Sequence, residues 1–131
     1  MMEKKLRIMI VDNDESARIT FRGYVRNIMK KHGVEADIET ATDGADAEMK
    51  ISRKSGKCLI ITDYKLPKVN GAQLHSRLPT KFRESMIFVT SNPAAARTSL
   101  EETSPGAQVP PILAKPLSEE QLERSLRQCI A

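Results

Sequence analysis

Residues 58–63, Cys58-Leu59-Ile60-Ile61-Thr62-Asp63, decide how the chain is read. A short run with no charge and no polar alternation suits a strand covered on both faces, as in a parallel sheet layered between helices. The run stops at a carboxylate. Leu6–Val11, broken only by Arg7, ends in the same manner at Asp12-Asn13-Asp14, and Met86–Val89 ends at Thr90-Ser91. Val109–Ala114 ends at Lys115, with Pro110 and Pro111 restricting its first half to an edge or irregular strand.

Helical patterns fill the intervals. Ala17, Phe21, Tyr24 or Val25, and Ile28 recur at helical spacing, with Asn13 or Asp14 available as a cap and Gly33 to close the end. Gly23 within that helix costs about 1 kcal/mol relative to alanine, which points to a close packing contact there. Val34–Thr42 is β-compatible, Asp43-Gly44 reads as a turn, and Ala45–Lys54 as a short helix stopped near Gly56. After a loop with Pro67 and Asn70-Gly71, a helix carrying Leu74 and Leu78 halts at Pro79. Asn92 caps a helix with Pro93 at its first position, running through Ala94 to Thr103. Ser118 and Gln121 form a capping box ahead of an amphipathic closing helix with Leu122, Leu126, Cys129 and Ile130.

Repeated alternation of strand and helix predicts an α/β fold: a doubly wound five-stranded parallel sheet with helices on both faces, in one domain over residues 1–131. That length allows a real core but no attached output domain. A composition of 40% apolar and 29% charged residues is that of a globular chain. The net charge of +4 is spread over small groups, such as Lys30 with Lys31, and Arg77 with Lys81 and Arg83. Without a concentrated basic face interleaved with aromatics, a solvated surface is expected rather than nucleic-acid binding. Met1–Val11 superficially resembles a leader, but Arg7 interrupts it and Asp12 ends it. No segment is long and apolar enough for membrane insertion, so a cytoplasmic protein is expected. Cys58 and Cys129 lack metal or CxxC spacing and fall in apolar patterns, which reads as buried, reduced thiols.

Open parallel sheets bind ligands beyond the carboxyl ends of their strands. That rule gathers Asp12, Asn13, Asp14, Asp63, Thr90, Ser91 and Lys115 on one rim. Each has a plain alternative: Asn13 or Asp14 as a helix cap, Ser91 or Asn92 as another, Lys115 as a solvated charge before a proline. Together they point to chemistry. Clustered carboxylates need a compensating cation, and hard oxygen donors suit magnesium with phosphate as co-ligand. A carboxylate can then attack a phosphoryl group whose charge is spread over metal, hydroxyl and ammonium.

The pieces IMIVDNDE, LIITDYKLPKVNG, IFVTS and AKP, in this order, resemble the receiver domains of response regulators, the CheY-like superfamily, over essentially the whole chain. The resemblance implies a (βα)5 flavodoxin-like fold and a stand-alone signalling protein rather than an enzyme, with at most self-phosphorylation and autodephosphorylation. It implies that Asp63 accepts a phosphoryl group from a histidine kinase or phosphotransfer protein, that Lys115 contacts the phosphoryl oxygens, and that Thr90 moves to bind the acylphosphate. Asp12, Asn13, Asp63 and the Lys65 carbonyl would hold Mg2+, and Lys115-Pro116 would be a cis junction. A separate target protein would read a surface that includes Arg97, Glu101, Ile112 and Leu117, or the chain would relay its phosphoryl group onward. The chain departs from the family pattern at Asn13, where a second acid is usual, and at Ile112, where an aromatic switch is usual.

Other readings remain open. Lys65 either lies over the acylphosphate and slows its hydrolysis or points into solvent. Asn13 and Ile112 also suit a phosphorylation-independent docking module built on the same fold. Asp12-Asn13-Asp14-Glu15-Ser16 resembles the DxDx[TV] motif of haloacid-dehalogenase-type phosphatases, with Asp12 as nucleophile and Asp14 as acid/base, although Asp63, Pro67 and Gly71 then go unexplained.

Overall fold

The computed structural model describes residues 5–54 and 56–130. Residues 1–4, the opening of the stretch weighed as a leader, lie outside the described residues, as do 55 and 131. The elements follow one another as β1 (Leu6–Val11), α1 (Glu15–Lys31), β2 (Ala36–Ala41), α2 (Gly44–Ser52), β3 (Cys58–Thr62) and α3 (Gly71–Arg77). The second half comprises α4 (Thr80–Arg83), β4 (Met86–Thr90), α5 (Pro93–Thr103), β5 (Ile112–Ala114) and α6 (Glu119–Ile130). The sheet has the order β2-β1-β3-β4-β5 with every pair parallel. Strand order therefore reverses between β1 and β3, which places the switch point where those two strands end.

Residues of one strand alternate between two cores, as side chains of a pleated strand must. Met9, Val11, Ile60 and Phe88 pack with Ala47, Ile51, Leu74 and Leu100 of α2, α3 and α5. On the other face Ile8, Ile10, Leu59, Ile61 and Val89 pack with Phe21, Val25, Ile28, Leu122 and Leu126 of α1 and α6. Coverage on both faces explains why β3 and β4 carry no exposed position. No helix among the described residues is long and apolar enough to cross a membrane.

Local chemistry sets the boundaries. Asp14 caps α1, accepting the amides of Ser16 and Ala17 at 3.3 Å each, and Gly33 follows its end with φ +67°. Gly23 makes no close contact: a β-carbon there would meet nothing within 4 Å, so the expected packing contact is absent. Asp43-Gly44 is not a free turn. Asp43 caps α2 through the Asp46 amide at 2.8 Å, and a β-carbon on Gly44 would collide with the Val69 carbonyl oxygen. Asn70 and Gln73 form a reciprocal box at the start of α3. Pro79 ends that helix as expected but also opens α4, a turn that the proline had hidden. β5 is reduced to Ile112–Ala114, while the Pro111 carbonyl still accepts the Phe88 amide at 2.9 Å. Cys58 is buried, whereas Cys129 is exposed on α6, contrary to the expectation for both thiols.

α1 and α6 are joined by Glu123, a buried carboxylate that meets His32 Nε2 at 2.7 Å and Lys31 Nζ at 3.0 Å.

Candidate functional site

The parallel register sets Val11 beside Thr62, so the next residues, Asp12 and Asp63, leave the sheet side by side. Backbone bonds fix their stems: the Asp63 amide donates to the Val11 carbonyl at 2.9 Å and the Asp12 amide to the Ala41 carbonyl at 3.1 Å. Lys115 is anchored in the same way, its amide donating to the Thr90 carbonyl at 2.9 Å. From there its ammonium crosses the strand ends and donates to Asp12 Oδ2 at 2.7 Å and to Asp63 Oδ2 at 2.9 Å.

These three side chains are withdrawn from water to different degrees, 4% exposed for Asp12, 14% for Asp63 and 23% for Lys115. Asp63 is thus the more reachable acid. Desolvation pushes the Lys115 ammonium towards losing its proton, but its hydrogen bonds to Asp12 and Asp63 and their negative charge outweigh it and hold its pKa above the ordinary lysine value. The Phe21 ring lies 5.8 Å from Nζ and covers the ammonium on another side. The remaining carboxylate oxygens are held by backbone: Asp12 Oδ1 accepts the Asp14 amide at 2.9 Å and Asp63 Oδ1 the Lys65 amide at 3.3 Å.

The other expected residues sort differently. Thr90 is buried at the end of β4, its Oγ1 accepting the Asn92 amide at 3.3 Å and making no hydrogen bond to the Asp12, Asp63 or Lys115 side chains. Asn13 and Lys65 are exposed, and the Asp14 carboxylate is turned to its own helix. Asp12 and Asp63 therefore supply the converging charge, with neutral oxygens left to complete any metal shell. Two hard carboxylates fit a magnesium ion, which takes few protein acids and fills its shell with other oxygens. Among the described residues no group of three or more His, Cys, Asp or Glu side chains gathers in a metal-binding arrangement. Lys115-Pro116 is cis, as the resemblance implied. Of the expected output residues, Arg97 and Glu101 are exposed and Ile112 is partly buried, while Leu117 packs in the core at 8% exposure and is no surface residue.

One contributor went unnoticed in the sequence, and the role of another was not foreseen. Arg18 folds back from α1 to donate to the Asp12 carbonyl at 2.8 Å. Gly71 backs directly onto the Asp63 peptide, and its amide donates to the Tyr64 carbonyl at 2.8 Å. Helical spacing could place Arg18 near the rim but not choose its rotamer. Gly71 had been visible as half of an Asn-Gly turn and as the last residue of LIITDYKLPKVNG, but not as a neighbour of the Asp63 peptide.

A five-stranded parallel sheet in this order, with two acids and a lysine meeting at its switch point, defines a receiver domain of two-component signalling. The model of the response regulator receiver domain matches residues 8–127, and the chain belongs to that family. It is 27% identical over 123 residues to an uncharacterised response regulatory protein of Yersinia pestis, covering 92% of this chain and 47% of that protein. It is 32% identical over 91 residues to a gliding motility regulatory protein of Myxococcus xanthus, covering 67% of this chain and 11% of that one. The chain thus spans less than half the length of these two curated relatives. Among solved structures, the receiver domain of a sensor histidine kinase from Pseudomonas aeruginosa, with a magnesium ion in its active-site cleft, superposes with a TM-score of 0.77. The two share 21% identity, with 97% of this chain and 98% of that one covered.

Proposed function

We propose that residues 1–131 act as a single receiver domain in which Asp63 accepts a phosphoryl group from a histidine kinase or histidine phosphotransfer protein. The observation that carries this reading is the pairing of a reachable Asp63 carboxylate with the Lys115 ammonium at 2.9 Å, beside a second, less exposed acid. An Asp63 carboxylate oxygen attacks phosphorus, the bond from phosphorus to the donor atom breaks, and an acylphosphate forms. Lys115 then gives its positive charge to the phosphoryl oxygens instead of to the free carboxylate. Arg18 and the backbone amides around Asp12 and Asp63 keep both acids in place. Asp12, Asn13, Asp63 and the Lys65 carbonyl would hold Mg2+, which supplies neutralisation of phosphoryl charge. Asn13 contributes no charge of its own, so metal affinity is lower than an acid there would give.

The product is a signal carried by protein contacts, not by turnover of a substrate. Stabilising one arrangement of the surface formed by Arg97, Glu101 and Ile112 is a population shift that a separate target protein reads in the cytoplasm. Phosphatase chemistry at Asp12 is less well supported, because Asp14, its required acid, caps α1 and Asp12 is the more buried of the two carboxylates that Lys115 holds.

The test is incubation with acetyl phosphate and magnesium followed by intact-mass measurement. One phosphoryl group is gained by the native chain and none by Asp63→Asn. No incorporation at high magnesium would instead favour the phosphorylation-independent docking module, the reading that the uncharged, exposed Asn13 also suits.

A further inference from the structure

Most of the positive charge of α1 lies in a row. Arg22, Arg26 and Lys30 recur at every fourth residue, so they stack on one stripe of the helix, about 6 Å apart along its axis. All three are exposed, and among the described residues none of them forms an ion pair. Lys31, next in sequence to Lys30, turns instead to Glu123 at 3.0 Å. Like charges four residues apart weaken a helix, and interspersed acids would relieve them. Glu15, in the first turn, is the only acid that α1 contains.

The three bases line a groove of about 470 Å3 whose other side is Val34, Ala36 and Ile38. β2 is an outer strand of the sheet, bonded to β1 alone. The Leu6 amide donates to the Glu35 carbonyl and the Asp12 amide to the Ala41 carbonyl, so in this parallel register residues 35, 37, 39 and 41 face β1. The backbone groups of Ala36, Ile38 and Thr40 therefore point outward. Lys50 Nζ takes the Thr40 carbonyl at 2.9 Å, while the outward groups of Ala36 and Ile38 have no partner among the described residues. Neither proline nor lysine interrupts Ala36–Ala41, which leaves the strand an open template for pairing. Its own acids do not neutralise the row: Asp37 borders the groove but faces Lys54 at 3.7 Å, and Glu39 faces Arg53 at 3.6 Å.

We propose that this groove docks an acidic, extended segment of a partner protein, added to the sheet alongside β2 with its carboxylates directed at Arg22, Arg26 and Lys30. Side chains on one face of a strand recur about every 6.7 Å, close to the spacing of the bases, so acids at alternate positions meet them in register while the backbone pairs with Ala36 and Ile38. A second copy of this chain is disfavoured, because two-fold pairing of two β2 strands sets the two basic rows side by side. The inference is independent of phosphorylation at Asp63, since it rests on different residues.

The experiment is an amide- and guanidinium-resolved NMR titration of the full chain, at constant ionic strength, with an acetylated and amidated hexapeptide alternating glutamate and threonine. The same peptide with glutamine in place of glutamate, and a thymidine hexanucleotide, are titrated in parallel. The glutamate peptide should give saturable shifts at the Ile38 amide and at the Nε–H groups of Arg22 and Arg26, and should slow hydrogen exchange of the Ile38 amide. Arg26→Glu should weaken that binding by about tenfold or more, as a like charge set against the ligand does. The same spectra report whether the variant is folded. Absence of saturation by the glutamate peptide overturns the site, as does equal binding of the glutamine peptide or equal binding by Arg26→Glu. Shifts confined to the arginines, without slower exchange at Ile38, overturn strand addition. Saturation by the oligonucleotide but not by the peptide overturns the assigned class of partner.

Discussion

Gly71 lies so close to Asp63 that a β-carbon on it would stand 2.6 Å from the Asp63 carbonyl oxygen and 2.7 Å from Phe88 Cε2. Neither neighbour can give way, one being backbone and the other a buried ring in the core. Gly71→Ala is therefore expected to destabilise the fold by about 1–3 kcal/mol, the usual cost of overpacking. Urea unfolding measures it. An unchanged midpoint would mean that the loop after β3 shifts freely, and with it Asp63.

Lys115→Met removes the cation shared by two withdrawn carboxylates. The acids are then left to repel each other, and stability at neutral pH without metal should fall by about 2 kcal/mol, between the values for an exposed and a fully buried pair because Lys115 and Asp63 are partly exposed. Combining it with Asp12→Asn removes the repulsion and should recover part of the loss. A double-mutant cycle by chemical denaturation checks this, and strict additivity would deny the coupling.

The two thiols should differ sharply. Burial pushes the Cys58 thiol up to about 11, only partly relieved by Arg7, whereas Cys129 stands exposed on α6 with a milder rise from its own desolvation. Iodoacetamide at mildly alkaline pH should modify Cys129 in the folded chain and reach Cys58 only on unfolding. Peptide mass mapping of folded and denatured samples decides it.

Acid stability should depend on Glu123. The hydrogen bond from His32, then that from Lys31, holds its carboxyl below the ordinary 4.5. A depressed folded pKa means that the unfolded chain binds the proton first. The stability that Glu123 contributes is thus full above pH 4.5 and is lost as pH falls through the lower folded value. Glu123→Gln should flatten the fall in stability over that acidic interval and loosen α1 from α6. Parallel pH profiles of native and variant chains would refute this.

Much of this architecture was legible because uninterrupted apolar runs leave few options. Cys58–Thr62 and Met86–Val89 can be satisfied only by cover on both faces, and the polar residue ending each run then falls on one rim by topology alone. Asp63, Asp12 and Lys115 followed from that reasoning before any contact was known. What stayed hidden was settled by rotamers and close approach. Asn13 and Asp14 were equal candidates for the cap until the backbone turned Asp14 towards Ser16 and Ala17. Gly23 and Gly44 are the same residue type, yet one faces open space and the other backs onto Val69, a difference that no local pattern encodes. Leu117 and Cys129 show the converse limit: a residue near a helix start or end can lie inside or outside by a small change in helix rotation.

β5 is three residues long, and Lys115 leaves its end to grip Asp12 and Asp63, which follow β1 and β3. The clasp therefore spans β4 and ties the short outer strand to the middle of the sheet. Phosphorylation of Asp63, as proposed, would change one end of that tie, so the site that receives a signal would also be the fastening whose tension reports it.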